Sequence, residues 1–453
     1  MRARLTLLLA CVFVLAFPVA VSAHPMPTNT LATALGLGGA ASFTYGTPVD
    51  DAGAGFDFSS NMRLLSFSER RAGPNAFADF NSDLAFWGDK AHQGTFKGFR
   101  IIDIDDPRNP VELVDYEECG TVGQGDLVVW GSVLVRSWDA VGNGQTCAGE
   151  TVPQGFEGLH VFDVSNPAAP QLKQIIDLQC GSHTATGVPD LRNQRLLVYS
   201  TPSSSACEGI NIVEVPLSRP ENSRLIGFEE SDPYQPNSTS IPGKANPSFA
   251  CHDTAVILGK AMKAACAGGA GFAVWSIGGR EGGTLDDPRF LYNVVVPEIA
   301  FGTPNAEEGP TGHSASFSWD GETIIFGHEP GGGFDPRCME TGEDLPDRNE
   351  VAIQNDNQKS FYFYDANDGD KAGQWVFDTR HQTGTENCTL HNYNIVPTKK
   401  DDILVHGSYQ SGIGVLDFSD TERAREIAYA DPAPLVPTQL GGDWSSYFYN
   451  GYI

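Results

Sequence analysis

Positive charge is what this 453-residue chain has least of: 29 lysines and arginines stand against 57 aspartates and glutamates, a formal charge of −28. Such a surface repels phosphate and excludes nucleic acid as a partner; the acidity reads first as solubility in a salty or crowded exterior. Beyond the first two dozen residues there is no apolar run long enough to span a bilayer. The local signatures of common catalysts are missing too: no G-x-S-x-G elbow, no H-E-x-x-H, no phosphate loop and no dinucleotide fingerprint. A glycosidase pair cannot be read from spacing, because its two carboxylates come from different strands.

The N-terminus has the layout of a secretory leader, with Arg2 and Arg4, an apolar stretch, and Val-Ser-Ala before His24. Cleavage after Ala23 would leave 27 basic residues against 57 acidic ones, a charge of −30. The chain is therefore expected to be secreted, extracellular or periplasmic, with no transmembrane segment once residues 1–23 are gone. Residues 24–60, rich in Gly, Ala, Thr and Ser, read as a flexible linker. Cys11 leaves with the leader, and eight cysteines in an oxidising compartment read as four disulfides before they read as metal chemistry.

The remaining residues, 61–453, repeat a pattern. GFRIIDIDDPRNP from Gly98, GLHVFDVSNPAAP from Gly158 and GIGVLDFSDTERA from Gly412 each give a glycine, an alternating apolar strand, an aspartate and a turn. Looser copies start at Gly209, Gly271 and Ser360. A short β-branched and aromatic strand follows each copy, as in VELVDYEE and QLKQIIDL, and a hairpin such as SDLAFWGDKAHQGTF precedes several. The unit is a four-stranded meander, here labelled A to D. Such units recurring every 50 to 60 or so residues are propeller blades, because one small sheet cannot bury its own faces. GDWSSYFYNGYI, with a hairpin turn at Asn450–Gly451, reads as a further strand A, and NMRLLSFSER from Asn61 as a lone strand D. The expectation is an all-β, seven-bladed propeller in one domain. Its last blade would be closed by the N-terminal strand and left incomplete at Ile453.

These copies resemble the LVIVD-repeat family of secreted β-propellers, with sharp motifs in the first, second and sixth units. The resemblance implies fold and export and no particular reaction.

In a meander the D-to-A and B-to-C connections share one face. Cys119, Cys180, Cys251 and Cys388 precede or start an A strand, and Cys147, Cys207, Cys266 and Cys338 end a B strand or follow one, so all eight map to that face. Of the 105 pairings that eight cysteines allow, the simplest is Cys119–Cys147, Cys180–Cys207, Cys251–Cys266 and Cys338–Cys388.

Four histidines share one register, His183, His252, His313 and His391, each at the start of a strand A lining the central channel. Asp83, Asp126 and Asp443 hold similar depth in the other units, and His328 and His406 end B strands on the same face. Imidazoles gathered on a channel axis suit copper or another transition metal, whereas histidines that merely brace neighbouring blades need no ion. A mixed Cys/His set, using Cys180 with His183 and Cys388 with His391, is the third arrangement. Asp103, Asp163 and Asp417 resemble a calcium motif, but an Asx turn accounts for them better. The long acidic insertion between Glu329 and Gln358 would overlie the histidine face.

Two functions follow. One is a secreted binding or scaffold protein for an extracellular protein, glycan or surface ligand. The other is a metal-dependent, copper-type oxidoreductase with its histidine site at the channel mouth; a hydrolase of extracellular polymer ranks third. Convergence of the four imidazoles on one point would separate the first two.

Overall fold

A computed structural model describes residues 56–68, 81–119, 123–139, 141–142, 144–178, 180–203, 207–232, 249–300, 312–329, 338, 356–377, 386–432 and 443–453. The leader, most of the linker and nearly all of the acidic insertion lie outside them.

Every repeat forms its meander. Blade one is built from Asn81–Trp87, Lys90–Thr95, Gly98–Asp103 and Val111–Tyr116, and blade two from Leu127–Trp130, Val133–Trp138, Gly158–Asp163 and Gln171–Asp177. Blades three, four and five begin with Ala185–Asp190, Asp253–Ile257 and Gly312–Phe317, and blade six with Tyr393–Val396. All pairing is antiparallel in the order A-B-C-D, with strand A innermost.

The glycine that opens the repeat has a steric cause. A Cβ at Gly98 would come within 1.7 Å of the Tyr116 carbonyl oxygen, and one at Gly158 within 2.0 Å of that of Ile176, so strand D can close on strand C only over a bare backbone. A few residues on, the C–D register slips in all six blades, for example between Ile101 and Ile102 and between Val161 and Phe162. This repeated bulge increases the local twist where strand D meets the outside. The core lies between blades. Phe99, Trp138 and Phe162 fill one seam and Phe272, Phe326 and Tyr362 another, each such ring contributing about 1.5–3 kcal/mol by burial.

The expected seventh blade is not formed: among the described residues there are six four-stranded blades. The segment read as its strand A makes only isolated bridges, Asp443 with Tyr409 and Tyr449 with Tyr452. It still joins the sixth and first blades, since the Trp444 carbonyl accepts from His391 while Tyr447 donates to Asp83 and Tyr449 to Gly88. The stretch from Asn61 read as a lone strand D is corrected as well: its described residues, 61–68, belong to no strand of a sheet, and the N-terminal pairing comes from just upstream. Asp57 and Phe58 pair with Asp431 and Ala430, adding a fifth strand to the outer edge of blade six instead of completing a seventh blade. A local strand signal is insufficient here, because a blade exists only where four strands pair.

Candidate metal centre

All four disulfides form as the simplest connectivity required, Cys119–Cys147, Cys180–Cys207, Cys251–Cys266 and Cys338–Cys388. No cysteine among these eight is left for a mixed Cys/His ligand set.

Blades three to six deliver one histidine each to the inner wall. His183 and His252 stand just before the A strands that start at Ala185 and Asp253, His313 lies within Gly312–Phe317, and His391 precedes the strand that starts at Tyr393. Their rings form a continuous arc, with centroids 4.3 Å apart for His183 and His252, 4.1 Å for His252 and His313, and 4.3 Å for His313 and His391.

The two nitrogens of each ring face different surroundings. Every Nδ1 is engaged from outside the arc: His183 by Asp139 at 3.0 Å, His252 by Asp253 at 3.2 Å, His313 by Ser314 at 2.5 Å and Asp253 at 3.4 Å, and His391 by the Trp444 carbonyl at 2.6 Å. Every Nε2 turns inward. Those of His183 and His252 lie 2.9 Å apart, that of His391 is 3.3 Å from a Glu329 oxygen, and that of His313 is 3.9 Å from the other. His252, His313 and Glu329 each offer a ligand atom within 4.8 Å of the others. Tyr409, buried and at φ +48°, donates its phenol proton to Glu329 and lays its ring 4.8 Å from that of His391.

Charge follows this geometry. Burial opposes a proton on His183, yet Asp139, Asp253 and Glu329 outweigh it and raise its pKa to about 9. Burial, helped by the neighbouring imidazoles of His252 and His391, holds His313 well below the usual imidazole range despite Asp253 and Glu329. Burial also works against ionised Asp253 and Glu329, but the surrounding imidazoles win and keep both well below the usual carboxylate range.

The aspartates expected at the same depth do something else. Asp83 accepts from the Leu127 N–H at 3.3 Å and Asp126 from the Ala185 N–H at 2.6 Å, each latching its blade to the next. The two carboxyls share a hydrogen bond, and burial raises the pKa of both, that of Asp126 further because Asp83 is beside it. Asp443 exchanges backbone hydrogen bonds with Tyr409, and burial raises its carboxyl to about 7. His406 sits apart from the arc against Phe361 and Trp375, and His328 closes strand B of blade five. Asp103, Asp163 and Asp417 each accept from the N–H two residues on, at 3.0, 2.9 and 3.2 Å, as an Asx turn requires.

Glu329, Asp253, Asp139 and Tyr409 were not singled out from the sequence as site residues. Two carried a signal: Asp253 follows His252 directly, and Glu329 follows His328 at the end of a B strand on the histidine face. Beside the arc the channel widens to a cavity of about 410 Å³ whose wall includes His252, His313, Asp83, Asp126, Trp444 and Tyr447.

The family model for the LVIVD repeat matches residues 155–177, the C and D strands of blade two with the residues that join them. The chain carries an LVIVD repeat. The resemblance drawn from the repeat copies is thus met in the second unit. Among solved structures, this LVIVD-repeat propeller is similar to a functionally unknown protein from Desulfotomaculum acetoxidans, at 11% identity and TM-score 0.45 over 78% of this chain and 86% of that one. It is also similar to the Dos1 propeller, at 9% identity and TM-score 0.43 over 78% and 71%. No curated protein matches it.

Proposed function

We propose that this LVIVD-repeat propeller is an exported metalloprotein that holds a transition-metal ion, copper, zinc or iron, at one mouth of its channel. His183, His252, His313 and His391 supply Nε2 ligands and Glu329 an oxygen. The observation that supports this reading is the shared orientation of the rings, four Nδ1 atoms tied down from outside and four Nε2 atoms facing in. Outer partners of this kind fix the tautomer and aim of metal-bound histidines. The 2.9 Å between the Nε2 atoms of His183 and His252 also suits two neighbouring ligands on one ion at about 2.0–2.1 Å each.

Histidines serving only as braces would bond to neighbouring backbone, and of the four only His391 does so through its ring. The cavity beside His252 and His313 gives a small molecule access to the ion, so the copper-type oxidoreductase is the enzymatic form of this proposal. The four disulfides accord with export, and no helix among the described residues is long and apolar enough to cross a membrane. The binding or scaffold role rests on the fold alone.

The test is elemental analysis of protein secreted into medium with trace metals and purified without chelator. About one copper, zinc or iron per chain is expected, and a His252→Ala/His313→Ala variant should carry none. Wild-type protein without bound metal that also fails to take up Cu(II) or Zn(II) in a titration would overturn the proposal.

A further inference from the structure

Three of the four inward-facing histidines sit beside a bridged cysteine. His183 follows Cys180 by three residues, His391 follows Cys388 by three, and His252 follows Cys251 directly. Those same three stand outside the strands, on the connectors that enter blades three, four and six. His313 lies within the Gly312–Phe317 strand, at a bulge between Gly312 and Ser314, which pair with His328 and Gly327, and has no disulfide cysteine next to it.

The contrast has a physical basis. A residue with paired neighbours on both sides is fixed by their pairing, whereas a connector has such pairing on one side only. The backbone N–H groups of His183, His252 and His391 each make one bond across the turn, to Thr201 at 2.8 Å, Ala267 at 2.6 Å and Gly407 at 3.0 Å. The turn into His183 is also one the chain would not keep unaided. Cys180 has φ +63° and Gly181 φ +79°, and the first of these is costly for a residue with a Cβ. The bridges to Cys207, Cys266 and Cys338 supply the constraint that strand pairing supplies for His313. The fourth bridge, Cys119–Cys147, belongs to the first two blades, which contribute no histidine to the arc; it spans 28 residues where Cys180–Cys207 spans 27.

We infer that Cys180–Cys207, Cys251–Cys266 and Cys338–Cys388 are positioning elements of the metal centre, so that opening them with a dithiol loosens the histidines and releases the ion. The inference rests on the metal reading above. In the opening step a thiolate of the dithiol attacks one cysteine sulfur and the S–S bond breaks. The partner cysteine leaves as the thiol, and the second thiol of the reagent then attacks the reagent's own sulfur in the mixed disulfide and releases the cysteine first attacked. The cysteine pair gains two electrons and two protons, and the dithiol leaves as its own disulfide.

The near-equal spans provide the control. Cys180→Ser/Cys207→Ser and Cys119→Ser/Cys147→Ser should lose similar thermal stability, because loop closure of similar length is lost in each. Only the first should bind Zn(II) about 10- to 100-fold more weakly by calorimetry, the range expected when support behind a ligand is removed. Only the first should change the hyperfine splitting of the Cu(II) EPR spectrum. Should that variant fail to fold by circular dichroism, Cys251→Ser/Cys266→Ser, whose bridge spans only 15 residues, carries the same comparison. Equal affinity in both variants and wild type, or an equal loss in both, would overturn the inference. A wild-type chain that binds neither ion would instead overturn the metal reading.

Discussion

On one arc of the channel wall, blades three to six present imidazoles at the entry to strand A; on the other, blades one and two present carboxyls at the same depth. Buried acids occur on both arcs and are shifted in opposite directions. Asp253 and Glu329 lie among histidines and stay ionised, their carboxyls held well below the usual range against the effect of burial. Asp83 and Asp126 have only each other, the Tyr447 hydroxyl and backbone N–H groups, and burial pushes both upward. One neighbour therefore decides whether burial of a carboxyl is offset, leaving an anionic ligand, or prevails, pushing a latch toward its neutral form.

The largest effect should come from making the histidine arc resemble its opposite. Replacing His183, whose pKa Asp139, Asp253 and Glu329 raise to about 9 against burial, with Leu strips a cationic partner from these acids, and breaking a buried pair from one side costs about 3–5 kcal/mol. Chemical denaturation at pH 7 measures it. The difference from wild type should be full below pH 6.5 and fade as pH rises through about 9, because a histidine whose folded pKa is raised stabilises the fold only while it keeps its proton. A variant as stable as wild type would show that the imidazole does not compensate these acids.

Next in size is ligand loss. His252→Ala should weaken Zn(II) binding about 100-fold, near 2.7 kcal/mol, whereas Asp83→Asn should leave calorimetric affinity unchanged. A smaller effect belongs to the carboxyl pair itself. With folded pKa values above the usual 3.8, Asp83 and Asp126 favour folding least once pH has climbed through those values. Asp126→Asn should raise the melting temperature at pH 8 and leave it nearly unchanged at pH 4, read from thermal melts at the two pH values. The smallest change is Tyr447→Phe, which removes one hydroxyl from Asp83 and should cost about 0.5–1 kcal/mol.

The fold was readable to the extent that it repeats. Each copy found from Gly98 to Gly412 is a C strand, and its leading glycine is the residue on which strand D closes. The blade count was misread because the Asn450–Gly451 turn announces a hairpin with purely local information, while pairing decides whether a blade results. Within the site, the histidines could be found because repetition puts them in one register. Glu329 could not, since its contacts with His313 and His391 are made through space from a B strand, and 57 acidic residues hide any one of them. Asp83 and Asp126 were placed at the right depth but needed their neighbours to be known before their role as latches could be seen.

The pairing of Asp57–Phe58 with the last strand of blade six has a consequence for how the molecule is made. Ser59 and Tyr429, bonded beside it, are 370 residues apart in sequence, and bringing such ends together costs about 5 kcal/mol of chain entropy from length alone. Five blades can condense one after another as the polypeptide emerges, but the outer edge of the sixth waits for residues near 430. Until they arrive that edge is open and able to pair with another chain, so the slow and aggregation-exposed moment in assembly is its final one.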